Sequence, residues 1–172
     1  MHSGQTLSYV ASCEGRPSVL PVLARLGADT NAPDNMARTP FYGACLHNRA
    51  HTLEVLHSLG ADVNQTNSGA RTPCAVAAWK GHLQILTTLH KLGADLDKGN
   101  LHNTTPCCVA ARCNNSDVIE LLHKLGADIN QGTTTGNTPF LTAASKGHVE
   151  SVKTLHALGA DIEKTNKKVL HM

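Results

Sequence analysis

Two kinds of apolar segment alternate along the chain with polar, glycine-containing stretches. The first kind is short and made of small residues, as in CAVAAWK (74–80) and FLTAASK (140–146), each introduced by Thr-Pro. Threonine caps free N–H groups at a helix start and proline fits the first helical position, so Thr-Pro predicts where the helix begins. Gly81 and Gly147 predict its end, glycine being the residue best suited to a left-handed cap. The second kind, HLQILTTLHKL (82–92) and its copies, carries Leu, Ile and Val at helical spacing. Gly93-Ala94-Asp95 stops that second helix, and the polar run from Asp95 to Thr104 suits a hairpin-like loop. The predicted order is helix, helix, extended loop.

This order recurs on a fixed clock. LGAD occurs at 26–29, 59–62, 92–95, 125–128 and 158–161, and TP at 39–40, 72–73, 105–106 and 138–139, with Thr6-Leu7 as an altered first copy. Two independent marks sharing a period of 33 residues indicate a repeat array. The period divides the chain into 3–35, 36–68, 69–101, 102–134 and 135–167, with a tail over 168–172 and no second domain.

The repeated pattern GxTPxxxAAxxGHxxxxxxLxxLGADxN resembles that of the ankyrin repeat family. It is clearest in Gly136-Asn137-Thr138-Pro139, Ala143-Ala144, Gly147-His148 and Gly159-Ala160-Asp161. The resemblance covers essentially the whole chain and implies an all-α solenoid of stacked helix-turn-helix units with hairpin-like loops. Two departures stand out. The family's TPLH histidine is replaced by Tyr9, Tyr42, Ala75, Cys108 and Leu141. The Gly-His pair becomes Gly15-Arg16, Asn48-Arg49 and Asn114-Asn115 in three repeats, so less regular helix junctions are expected there.

Composition narrows the function. Hydrophobic residues make up 41% of the 172 residues but aromatics only 3%, so Leu, Ala, Val and Ile must build the core. The formal charge of +2 gives no support to a strongly nucleic-acid-binding or membrane-surface protein. The N-terminus lacks the pattern of a secretory signal, and no window approaches the roughly 18 apolar residues of a membrane span. Cys13, Cys45, Cys74, Cys107, Cys108 and Cys113 follow no CxxC pattern. They read as reduced thiols, which points to the cytoplasm, with the nucleus as the alternative.

Candidate chemistry changes the picture little. His57, His90, His123 and His156 recur at one repeat position. Equivalent residues on stacked helices lie roughly 8–10 Å apart, too far for two rings each about 2 Å from one zinc ion. No metal or cofactor is therefore expected. The expectation is instead a partly buried inter-repeat histidine, hydrogen-bonded to its neighbour or to backbone, with stability falling at acid pH if the rings are buried neutral. Cys107, Cys108 and Cys113 near His102 suggest a thiol enzyme only weakly. Cys107 matches Cys74 at an inward position, and no base is placed to activate a thiol. The expectation is a non-enzyme with no catalytic residue.

Residues that keep the period build the scaffold, and those that break it are free to touch a partner. By resemblance, the loop tips and first helices line one concave face. Candidate partner-binding residues there are Met36, Arg38, His47, Arg71, Trp79, Lys80, Leu101, His102, Arg112 and Lys146. The charged members of that face are basic except Glu14, whereas the second helices carry Glu54, Asp117, Glu120 and Glu150, so a basic face and a more acidic back are expected. Trp79, the only tryptophan, breaks the repeat pattern in the middle repeat. The expected function is a monomeric protein-interaction scaffold whose partner has an acidic surface. The alternatives are a targeting fragment of a larger protein, a small stoichiometric inhibitor of an enzyme such as a kinase, and a binder of acidic polymers or nucleic acid.

Overall fold

The computed structural model describes residues 4–164. Among them are ten helices and no strand: α1 (Leu7–Cys13), α2 (Val19–Arg25), α3 (Pro40–Leu46), α4 (Ala50–Ser58), α5 (Pro73–Lys80), α6 (Leu83–Lys91), α7 (Pro106–Arg112), α8 (Ser116–Lys124), α9 (Pro139–Ser145) and α10 (Val149–Ala157). They form five antiparallel pairs stacked in chain order, an all-α repeat solenoid. The tail over 168–172 lies outside the described residues.

Helices of seven to nine residues are too short to persist alone in water. Caps and stacking supply what length does not. Thr6, Thr39, Thr72, Thr105 and Thr138 each accept, through Oγ1, the backbone N–H three residues on, at 3.1–3.2 Å. Proline follows each of the last four caps. The odd-numbered helices pack side by side through Ala44, Ala77, Ala78, Ala110, Ala111 and Ala143, all with no exposed surface. Small side chains at those contacts let the helix axes approach. The even-numbered helices add Leu20, Leu53, Leu56, Ile85, Leu86, Leu89, Ile119, Leu122 and Leu155, also fully buried. Each such side chain contributes about 1.5–3 kcal/mol. Leu155 is buried in the last pair, while Val152 and Leu158 are only partly covered.

Polar contacts lock the repeats in register at two levels. Arg49 Nε donates to the carbonyl oxygen of Cys13 (2.9 Å), His82 Nε2 to Leu46 (3.3 Å), Asn115 Nδ2 to Ala78 (2.8 Å) and His148 Nε2 to Arg112 (2.9 Å). These donors are 33 residues apart, and each satisfies an orphan carbonyl at the end of the preceding repeat's first helix. A carbonyl only accepts, so Nε2 of both histidines carries the proton. At the loop bases, the N–H groups of Asp95, Asp128 and Asp161 donate to Asn64, Asp97 and Asn130. The GAD aspartates accept the N–H two residues on, at 2.7–2.9 Å, in Asx turns.

Two expectations from the sequence are overturned, the first at two of its three positions. The junction at Gly15-Arg16 is less regular, as expected, with α2 starting late and spanning seven residues against nine in the other second helices. Those with Asn48 and Asn114 are as regular as those with Gly81 and Gly147. The φ values of 58° and 57° at the two asparagines sit beside 74° at Gly81, because asparagine tolerates the left-handed region. The histidine ladder is not partly buried: His57, His90, His123 and His156 are all exposed. Each follows a buried leucine (Leu56, Leu89, Leu122, Leu155) and is turned about 100° around the helix from it, which carries the ring off the packed face. The position that bonds the repeats is the one held by Arg49, His82, Asn115 and His148.

Candidate protein-interaction groove

Loop tips and first helices enclose four clefts that follow one another along the stack. Their volumes, from the N-terminal end, are about 260, 630, 200 and 570 Å³. The first two share Arg38, Leu46 and His47, the second and third share Arg71 and Trp79, and the third and fourth share Thr104 and Arg112. They therefore form one continuous groove. Met36, Arg38, His47, Arg71, Trp79 and Lys80 line its second cleft, and Arg112, His102 and Lys146 its far end. Leu101 lines none of the four and stands 79% exposed on its loop tip.

The loops that carry these residues are closed the same way each time. The side-chain oxygen of Asp34 accepts the N–H groups of Met36 and Arg38, that of Asn67 those of Gly69 and Arg71, and that of Asn100 those of His102 and Thr104. A backbone bond spans each loop, for example Asn67 N–H to the Arg71 carbonyl at 3.2 Å. The first and second tips are joined by Ser68 N–H to the Met36 carbonyl, and the third and fourth by Thr134 N–H to the His102 carbonyl, both 2.9 Å. The groove rim is thus a set of rigid turns.

Arg38 differs from the other basic candidates. Its guanidinium holds Asp34 through Nε at 2.7 Å and a second nitrogen at 2.5 Å, and lies 5.2 Å from the centre of the Tyr9 ring. The Asp34 side chain has no exposed surface. Burial opposes its ionisation, but hydrogen bonds from Arg38 and from the Met36 and Arg38 backbone outweigh it and hold the pKa below the usual carboxylate value. Arg38 belongs to the scaffold as much as to the groove. Arg71, Arg112 and Lys146 are exposed and form no ion pair among the described residues. Trp79 is 45% exposed, stands between the second and third clefts, and carries the Lys80 ammonium 4.2 Å over its ring.

Sequence reasoning missed the groove floor. Tyr42, Val76 and Val109 line it yet are at most 7% exposed. Val76 and Val109 keep the 33-residue period, and a rule that assigns periodic residues to the scaffold passes over them. Their signal was proximity on the helix: Val76 is three residues before Trp79, and Val109 three before Arg112. The back of the stack is balanced in charge. Glu54, Asp117, Glu120 and Glu150 on the second helices are matched in number by Arg25, Lys91, Lys124 and Lys153, and Lys153 pairs with Glu150 at 3.0 Å. It is more acidic than the groove side by comparison, without an excess of acids of its own.

The five stacked pairs, with capping threonines and GAD turns at one period, agree with the family model for ankyrin repeats, which matches residues 7–100 and 74–166. The chain belongs to the ankyrin repeat family. No curated protein matches it significantly. Ankyrin repeats generally mediate protein–protein interactions and are typically non-enzymatic. The cysteines of this ankyrin protein are unpaired. Burial pushes the thiols of Cys45, Cys107 and Cys108 up, and that of Cys74 up to about 12, with Asp95 and Asp97 adding to the shift at Cys74. Those sulfurs stay protonated at neutral pH and act as small core hydrophobes. Among the described residues, no group of three His, Cys, Asp or Glu is arranged to hold a metal ion, and no helix is long and apolar enough to cross a membrane.

Proposed function

We propose that this ankyrin stack is a protein-binding scaffold that holds an acidic surface of its partner in the groove of loop tips and first helices. The observation that carries the reading is the charge of that groove. Arg71, Lys80, Arg112 and Lys146 line it against Glu14 alone, and the second helices on the other side are balanced. Trp79 adds an exposed aromatic ring at the centre, the residue type enriched in binding hot spots. The rim is fixed by backbone and side-chain bonds, so little ordering entropy is lost on binding.

Charge reversal on the two faces tests this. Recover a partner by affinity capture on wild type, then titrate it against Arg71→Glu with Lys80→Glu, and against Glu120→Lys on α8. The groove double variant weakens the complex at least about tenfold, in a salt-dependent manner, while Glu120→Lys changes it little. The reverse ranking rules the groove out.

A further inference from the structure

The third cleft has a construction of its own. It lies between α5 and α7, and its walls come from equivalent positions of two consecutive repeats. Arg71 and Thr104 stand on the loops, Trp79 and Arg112 on the last turns of the helices, and Val76 and Val109 form the floor. The floor is apolar and the polar groups are donors. Both guanidiniums donate only. Asn100 also lines the cleft, and its side-chain oxygen is already taken by the N–H groups of His102 and Thr104 at 3.0 Å, so the side chain offers its amide hydrogens. The Thr104 hydroxyl donates as readily as it accepts. A pocket of donors around an apolar floor suits an acceptor carried on a short hydrocarbon stem.

The molecule contains a precedent for the pairing. At the position equivalent to Arg71, Arg38 is held by the carboxylate of Asp34. The residue equivalent to Asp34 is Asn67, which closes its loop without supplying a charge. Arg71 therefore keeps the position and loses the acid. Arg112, from the next repeat, brings a second guanidinium to the same cleft.

We infer that the cleft between α5 and α7 receives one glutamate or aspartate side chain of an extended segment of a protein partner. The carboxylate is held by Arg71 and Arg112, and the side-chain stem lies on Val76 and Val109 beside Trp79. This rests on the groove reading above and names the chemistry of its central contact. Charge-assisted pairs to guanidinium are short and geometrically selective, so the carboxylate sets the register of the segment along the groove. The single cleft between two arginines matches one acid, whereas a nucleic acid strand would require a continuous row of phosphate contacts.

Selection of random blocked dodecapeptides on the whole protein, followed by titration of the selected peptides, tests both levels. The inference expects peptides that share an Asp or Glu beside an apolar residue. Replacing that acid by its amide weakens binding at least tenfold, and Arg71→Gln with Arg112→Gln does the same to the unmodified peptide while circular dichroism is unchanged. Arg112→Lys retains only part of the affinity, because a point charge replaces a planar fork. Selected peptides that depend on Trp79 but carry no common acid overturn the cleft inference and leave the groove reading standing. Peptides indifferent to both Trp79→Ala and the arginine pair overturn both, as does the absence of any selected peptide. Tighter binding of a single-stranded oligonucleotide than of any acidic peptide, lost in the same arginine variant, also overturns the inference.

Discussion

Arg38 and Arg71 stand at the same place in consecutive repeats, four residues after the side chain that closes the loop, and their fates differ. Asp34 closes the first loop, and its buried carboxylate binds Arg38 through two nitrogens. Asn67 closes the second with the same two backbone bonds, and its amide group donates to the Tyr42 hydroxyl at 3.1 Å. Loop geometry needs only a side-chain oxygen, which carboxylate and carboxamide both provide. The remaining atom, an oxygen in one and an NH2 in the other, decides whether the following arginine is tied into the scaffold or left for a partner.

The largest effect separates the two arginines by stability. Arg38→Ala leaves a buried carboxylate without its charged partner and costs about 2–3 kcal/mol, below the usual range for a fully buried pair because Arg38 is partly exposed. Arg71→Ala changes stability by less than about 0.5 kcal/mol. Urea unfolding of both variants checks this, and equal losses break the comparison.

Acid sharpens it next. The Asp34 pKa is lowered in the folded state, so its contribution is present above the unfolded value of about 3.9 and is lost as pH falls through the folded value. Wild type then loses more stability between pH 5 and pH 3 than Asp34→Asn, which converts the first loop to the chemistry of the second. Parallel losses in thermal melts across that range contradict the pairing.

The opposite conversion has a smaller effect. Asn67→Asp gives Arg71 the acid it lacks. Stability rises by no more than about 1 kcal/mol, as befits an exposed arginine. The groove's affinity for an acidic peptide falls several-fold, because the arginine is already neutralised. An unchanged affinity breaks the link between loop chemistry and binding.

The smallest effect comes from an acid that forms no ion pair among the described residues. Asp97 occupies the place of Asn64 and Asn130. Burial raises its pKa, and the charges of Asp128 and Asp95 add to the shift against the stabilising N–H of Asp128. A raised folded pKa means that its contribution is present at acid pH and lost as pH rises through the folded value. Asp97→Asn therefore stabilises the protein at pH 7, by about 0.5 kcal/mol, and the gain disappears in acid. Thermal melts at pH 7 and pH 3.5 measure it.

The stack was legible in the sequence because its marks are chemical requirements repeated at a fixed spacing. A threonine oxygen is needed to cap, a proline tolerates the first turn, and the GAD turn needs its aspartate. Roles that several residue types can fill were hidden. Bonding one repeat to the previous one needs only a donor, and arginine, histidine and asparagine all serve, so Arg49, His82, Asn115 and His148 show no common letter. Identity misled in the other direction: four identical histidines at 57, 90, 123 and 156 face solvent. The ten candidate contact residues were found by their departure from the period, and nine line the groove. What periodicity could not give was the partner of each charge. Arg38 and Arg71 look alike until Asp34 and Asn67 are placed beside them.

Trp79 provides the most direct measurement, since it is the only tryptophan and stands between the two central clefts. Follow its fluorescence while an acidic partner peptide is titrated into wild type and into Arg71→Glu with Arg112→Glu. The account predicts a saturable change in Trp79 emission that tracks binding in wild type and is lost, together with the affinity, in the double variant. A peptide that binds both proteins equally and leaves the emission unchanged contradicts it.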